Sequence, residues 1–234
     1  MKIGFLFCLS KMKVLLEKNR SFAIITLVMV IFFSPLPAQY KVGYRIGLGI
    51  GFTKPDKFND SLAEQEMSKI GSAWFPLNYD LSVNIYPSLR VGYKKLSTRL
   101  ITYNRSSGDY ILPIVYRGIM AESYFTFWKR FEANFGFSPM YGKAVFMNKK
   151  LTASDETLGV ESSTTAEITN SAFGFYSWVG MRMYLLSFVS VEGSVGYIYS
   201  KFGDKWKAKK GSSNFSGGIN MTKPFLRVAA VVGW

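Results

Sequence analysis

Residues 41–53 read KVGYRIGLGIGFT, with Val42, Tyr44, Ile46, Leu48, Ile50 and Phe52 on one parity and Gly43, Arg45, Gly47, Gly49 and Gly51 on the other. Successive side chains of a β-strand point to opposite faces, so this segment has one wholly apolar face and one face of glycine interrupted by a single arginine. A soluble sandwich turns its bulky face inward and a polar face to water. Here the face opposite the bulky one is nearly bare, as if it looked into a confined space. A narrow barrel with hydrocarbon outside meets both conditions.

The pattern recurs seven more times along the chain. Leu77, Tyr79, Leu81, Val83 and Ile85 alternate with Asn78, Asp80, Ser82 and Asn84 up to Tyr86-Pro87-Ser88, and Leu89, Val91 and Tyr93 follow against Arg90, Gly92 and Lys94. In a fourth run, about 110–127, Leu112, Ile114 and Tyr116 share one parity while Ile119, Ala121, Phe125 and Phe127 share the other, which predicts a β-bulge near Gly118. After Trp128-Lys129-Arg130, a fifth run sets Phe131, Ala133, Phe135 and Phe137 against Glu132, Asn134, Gly136 and Ser138. The sixth sets Phe173, Phe175, Val179, Met181 and Met183 against Gly174, Tyr176, Trp178, Gly180 and Arg182. The seventh sets Val189, Val191, Val195, Tyr197 and Tyr199 against Ser190, Glu192, Ser194 and Gly196, and the eighth ends the chain. Connector lengths alternate too. Those after the first, third, fifth and seventh runs (about 53–76, 100–109, 148–170 and 201–213) are long and polar, and the rest are a few residues. Short turns at one end and long loops at the other are the habit of outer-membrane barrels.

The last ten residues, FLRVAAVVGW, place Leu226, Val228, Ala230, Val232 and Trp234 in an alternating apolar row closed by an aromatic. This row resembles the C-terminal strand signal of bacterial outer-membrane barrels, which the assembly machinery reads. Residues 39–234 as a whole resemble the small eight-stranded family that includes the OmpA transmembrane domain and OmpX. The resemblance implies an all-β fold, an eight-stranded antiparallel up-and-down transmembrane β-barrel in the cell outer membrane. It also implies the secretion translocon, periplasmic chaperones and the barrel-assembly machinery as partners during biogenesis, and outer-membrane lipid and lipopolysaccharide as surroundings. The soluble rival, a lipocalin-like barrel, needs an apolar interior, which Arg45, Asp80, Arg90 and Glu192 oppose.

The face opposite the apolar row carries one principal charge per strand: Arg45, Asp80, Arg90, Glu122, Glu132, Arg182, Glu192 and Arg227. Four are basic and four acidic, so they cancel. An eight-stranded interior is just wide enough for side chains to fill it, so these groups must satisfy one another or trapped water. A structural network plugging the lumen is the first reading; a narrow proton or ion path, or carboxylates poised for catalysis, is the second. Arg182 and Glu192 lie almost symmetrically about Leu186-Ser187 and are expected to face each other across that hairpin. Tyr40, Tyr86, Phe127, Trp128, Phe131, Tyr184, Phe188 and Trp234 gather at the short-turn end, as an interfacial aromatic girdle does.

Among the long loops, Ser61-Leu62-Ala63-Glu64 is a capping-box pattern that can start a helix through Ile70, although a solvated loop is favoured. The third loop gathers Asp155, Glu156, Glu161 and Glu167 at a spacing that matches no calcium loop. The fourth packs Lys201, Lys205, Lys207, Lys209 and Lys210 around Trp206, a cluster that fits lipopolysaccharide phosphates, the acidic third loop, or solubility alone.

Ahead of the barrel, Lys11, Lys13, Lys18 and Arg20 precede an apolar run at 22–33 and then Ser34-Pro35-Leu36-Pro37-Ala38. That pattern predicts a signal peptide over residues 1–38 with a cut near Ala38, an uncleaved anchor being the alternative, and Met12 is an alternative start. The run is too short for a spanning helix, which needs roughly 20 residues. Of the net charge of +14, this segment holds five basic and one acidic residue, leaving +10 on residues 39–234. The excess falls at the barrel rims: +4 from 201–210, +3 from 94–109, and Lys129 with Arg130. Such placement suits anionic lipid, not nucleic acid. The chain has no histidine and one cysteine, Cys8. Triads using imidazole, histidine metal sites and CxxC chemistry are therefore excluded. No cofactor is indicated and a monomer is expected. Three function classes stand: a structural or interaction barrel acting through its loops (envelope integrity, adhesion or partner binding), a narrow channel or conduit for small solutes or apolar molecules, and a lipid-modifying enzyme, the last weakened by the missing histidine.

Overall fold

Strand β1, Val42–Phe52, pairs antiparallel with the last strand of the chain, from Gly43 opposite Gly233 to Gly51 opposite Phe225, and this pairing closes a ring. The computed structural model describes residues 41–53, 55–102, 110–148, 167–208, 213 and 215–233. Along the chain β1 is followed by helix α1 (Asp56–Glu64), the short β2 (Ala73–Trp74), β3 (Leu77–Tyr86), β4 (Leu89–Thr102), β5 (Tyr110–Trp128), β6 (Phe131–Asn148), β7 (Glu167–Tyr184), β8 (Val189–Phe202), the short β9 (Lys207–Ala208) and β10 (Ile219–Asn220), and β11 (Lys223–Gly233). The eight long strands neighbour one another in the order β1, β3, β4, β5, β6, β7, β8, β11 and back to β1, every pair antiparallel. A closed ring is what a sheet needs in hydrocarbon, where an unpaired edge has no water to bond to.

The alternation read from the sequence sets which side faces out. Leu48, Phe52, Ile119, Phe125, Phe135, Phe173, Val179, Val195, Leu226 and Val228 are all more than half exposed, and with Leu81 and Ile85 of β3 and Tyr93 of β4 they form an apolar belt around the whole ring. Tyr86, Trp128 and Phe188 stand exposed at the short-turn rim. Tyr184 does not join them: it points inward, buried, and its hydroxyl donates to Glu132 at 2.7 Å. Tyr40 and Trp234 lie outside the described residues, as do the expected signal segment, Lys209, Lys210 and the third-loop residues Asp155, Glu156 and Glu161.

The expected bulge near Gly118 is absent. β4 and β5 pair without a register shift from Leu89 opposite Ser123 to Thr102 opposite Tyr110, and the irregularity between β5 and β6 sits beside the turn, between Thr126 and Trp128. The parity change has another cause. Tyr110, Leu112, Ile114 and Tyr116 face inward because the interior of the long-loop half is itself apolar. The barrel thus holds two layers, charged groups toward the short turns and an aromatic core toward the long loops.

That second layer extends into the mouth. α1 begins at Asp56 after Pro55 and buries Phe58 and Leu62; Ser61 lies inside it and bonds the Lys57 carbonyl, so the capping-box pattern is not its start. The Phe58 ring packs against Phe146 of β6 (5.3 Å), Trp206 (5.4 Å) and Phe215 (5.1 Å), joining the first loop to the fourth over the barrel. The favoured solvated loop is therefore a packed cap. Lower down, glycines make room for rings: Trp178 stands between Gly136 and Gly196 on the flanking strands, and a Cβ at Gly136 would collide with its six-membered ring. Gly193 faces outward with open space beside it. We expect Gly136→Val to lower stability by about 1–3 kcal/mol through overpacking, read as a lower urea midpoint of the lipid-refolded barrel, while Gly193→Ala leaves it unmoved.

Candidate functional site

The eight charges expected inside the barrel all point into the lumen and all are buried. Each reaches it from a different strand: Arg45 from β1, Asp80 from β3, Arg90 from β4, Glu122 from β5, Glu132 from β6, Arg182 from β7, Glu192 from β8 and Arg227 from β11. A ninth joins them. Lys94, assigned by the sequence reading to the basic rim, is fully buried and holds both Asp80 carboxylate oxygens at 2.8 Å. Its parity with Arg90 is the signal that places it there, because residues four apart on a strand share a face. With Lys94 the network among the described residues joins five cations to four anions, where four of each were expected.

The geometry is dense. Glu122 accepts from Arg45 at 2.6 Å, Arg90 at 2.9 Å, the Trp178 indole at 3.2 Å and Arg182 at 3.4 Å. Glu132 is gripped by both terminal nitrogens of Arg90 at 2.6 Å, with Arg182 at 3.3 Å. Arg182 and Glu192 are direct cross-strand partners, with Nη2 to Oε2 at 2.6 Å and Nε to the same oxygen at 3.1 Å. Glu192 also takes Arg227 at 2.5 Å, Asn134 at 3.2 Å and Arg45 at 3.3 Å. Asp80 lies between Lys94, Arg45 at 3.3 Å and Arg227 at 3.4 Å. Aromatic faces cover the cations: Arg90 lies 3.5 Å above the ring of Tyr124, near the short turns, and Lys94 lies 4.5 Å from Trp178 and 4.8 Å from Tyr176 of the aromatic layer.

Two chemical consequences follow. Charges this deep are tolerable only when paired and hydrogen-bonded, and here the carboxylates share their arginines across the ring. The carboxylate oxygens are also occupied by protein donors, which leaves them poorly placed to take a proton from, or add to, an outside substrate. No group of three or more His, Cys, Asp and Glu suited to a metal ion occurs among the described residues.

The other sequence-derived groups lie elsewhere. Leu226, Val228, Ala230 and Val232 point outward on β11 as part of the belt. Lys201, Lys205 and Lys207 are exposed at the mouth, while Trp206 between them is buried and donates its indole N–H to the Gly217 carbonyl at 2.9 Å. The tryptophan anchors the loop to the core, and the lysines face solvent. Arg130, counted with the basic rim, is buried at its turn.

A closed antiparallel ring of eight strands, apolar outside and ion-paired within, is the architecture of the eight-stranded outer-membrane β-barrels, and it is the fold of this chain. Among solved structures it is similar to Neisserial surface protein A (NspA), with 13% identity, a TM-score of 0.51, and coverage of 82% of this chain and 97% of that one. It is likewise similar to the outer membrane protein OprG from Pseudomonas aeruginosa, with 10% identity, a TM-score of 0.51, and coverage of 85% and 99%. Neither a protein-family model nor a curated protein sequence matches the chain.

The charge balance makes a specific prediction. Removing Glu192 leaves Arg182, Arg227 and Arg45 facing one another, and Glu192→Ala is expected to cost about 3–5 kcal/mol. Lys94→Met relieves the cationic excess while Arg45 and Arg227 still hold Asp80, so it costs less. Urea titration of both variants in lipid bilayers checks the order; equal losses would contradict the described pairing.

Proposed function

We propose that this chain is an integral outer-membrane barrel with a closed lumen, serving a structural or interaction role through the loops at its long-loop end. The observation that carries this reading is the double occlusion of the interior, by the ion-paired layer below and by the Phe58, Phe146, Trp206 and Phe215 cluster above. A filled eight-stranded barrel has no water column to conduct through. The apolar belt and the fold shared with outer-membrane barrels support the location. Residues 1–38 then act as the export signal, cut near Ala38, and the row ending at Trp234 as the assembly signal read by the barrel-assembly machinery. On this reading the short turns face the periplasm and the loops face outward, and the nine lumen charges are structural.

A non-enzymatic role is supported by the sequence, which has no histidine to act as a general base. Adhesion, envelope integrity and partner binding share this scaffold, with α1 and the fourth loop forming one packed surface at the mouth. The test is conductance. Purified barrel in planar bilayers is expected to leave the current at the baseline of the bare membrane; stepwise, solute-selective openings would overturn the closed-lumen reading in favour of a channel. Overexpression is expected to leave the mass of lipid A unchanged, and a new lipid A species would sink the non-enzymatic reading.

A further inference from the structure

Outward-facing charges are rare on the eight long strands. Among the described residues they are Lys95, Arg99, Arg117, Lys143, Lys201 and Glu167. Four of the cations, Lys95, Arg99, Arg117 and Lys143, fall on the adjacent strands β4, β5 and β6, whose outward faces carry no carboxylate. Their register brings them together. Lys95 is directly opposite Arg117, Arg117 is opposite Tyr141, Lys143 is opposite Val115 and Arg99 is opposite Pro113. Like charges directly opposite each other destabilise a strand pair, so a lysine facing an arginine on a wall without carboxylates calls for an anion from outside the chain.

Height points to where that anion comes from. A tilted strand crosses the hydrocarbon in about 9–11 residues. From the rim at Trp128, that span on β5 ends at the exposed Ile119, and Arg117 is the next outward residue; on β6 it runs from Phe131 to the exposed Tyr141, and Lys143 is next. Both cations therefore stand at the level of the lipid head groups on the long-loop side. Between them lies a groove of about 310 Å³ lined by Pro113, Val115, Arg117, Tyr141, Lys143 and Val145. It offers an apolar floor for a sugar face or chain stem, a tyrosine of interfacial character, and two cations at its edges.

We propose that the outer wall of β4–β6, at the long-loop edge of the belt, binds a phosphate group of lipopolysaccharide, with Arg117 and Lys143 taking the anion and Lys95 and Arg99 adding to the field around it. Arginine matches phosphate oxygens with paired N–H donors, and lysine adds a point charge. A zwitterionic phospholipid brings its own cation and suits this wall less well. The site differs from the lysine-bearing fourth loop, which lies over the mouth. The inference rests on the reading above that the belt sits in the outer membrane with the long loops outward.

The experiment is native mass spectrometry of the full barrel in detergent, titrated with bisphosphorylated lipid A, dephosphorylated lipid A or inorganic phosphate. The unaltered chain is expected to retain the bisphosphorylated lipid in preference to the dephosphorylated one and to retain no inorganic phosphate. Arg117→Gln with Lys143→Gln is expected to weaken retention about tenfold or more, since each basic group near an anionic surface contributes substantially. Lys201→Gln with Lys205→Gln is expected to leave retention unchanged. Equal retention of both lipids, capture of free phosphate, or loss confined to the Lys201 and Lys205 variant overturns the proposal. Heat-modifiable gel migration verifies that the variants fold; if the double variant does not, the two lipids on the unaltered chain still decide. A barrel that inserts into vesicles yet shows no lipid preference overturns this site alone, whereas failure to insert overturns the membrane reading beneath it.

Discussion

Everything in this molecule depends on the pairing of β1 with β11. A sheet surrounded by hydrocarbon cannot leave one row of backbone donors and acceptors bare, because nothing there replaces water as their partner. Joining the first and last strands removes both edges at once, and with eight strands it also fixes the bore. The interior that results holds side chains and little else. Strand closure therefore dictates that the inner face be self-sufficient, and both interior layers answer that requirement.

They answer it by different means. Toward the short turns, arginines and a lysine are held by carboxylates drawn from across the ring, an arrangement that adds little stability relative to an apolar filling but makes the loss of any one partner costly. Toward the long loops, tyrosine, tryptophan and phenylalanine rings fill the space, seated against glycines such as Gly136 and Gly142, which leave room for Trp178 and Tyr116. Tyr176 stacks between Trp178 at 5.0 Å and Phe225 at 5.2 Å, at the boundary where Lys94 comes close to its ring. The transition from ionic to aromatic filling thus runs through cation–ring contacts.

Strand alternation was readable because one face meets lipid all the way round; a period of two stands out when most outward positions are bulky and apolar and the outward charges lie toward the long-loop end. Arg182 and Glu192 were readable as partners because a short turn fixes hairpin register by symmetry. The interior was harder. Tyr110, Leu112, Ile114 and Tyr116 are as apolar as the belt on the other parity, so a strand apolar on both faces mimics a change of register, and the bulge inferred at Gly118 was the result. Lys94 was legible in principle, two positions from Gly92 and four from Arg90, yet a lysine near the end of a short apolar run looks like a rim residue. Tyr184 misled in the same way, since an aromatic beside a turn can serve the girdle or reach inward, and only the position of Glu132 decides. The α1 cap was hidden because its contacts come from Phe146, Trp206 and Phe215, far away in sequence.

The distribution of lumen charge among the strands bears on how the ring is put together. The β5–β6 hairpin brings two glutamates, β7–β8 is balanced, β3–β4 brings Asp80 with Arg90 and Lys94, and the two seam strands bring Arg45 and Arg227. In the order of the ring the seam lies across from β5–β6. An open sheet therefore presents a negative middle and positive ends on the same face, and curling it draws the ends inward toward their counter-ions. The seam is also checked for alignment. A slip of one residue would turn Arg45 or Arg227 toward lipid, at about 2–4 kcal/mol for an arginine near the bilayer midplane. The register that closes the seam is thus the one that sets Arg45 and Arg227 against their counter-ions, so the two arginines carried by the end strands penalise a misaligned closure.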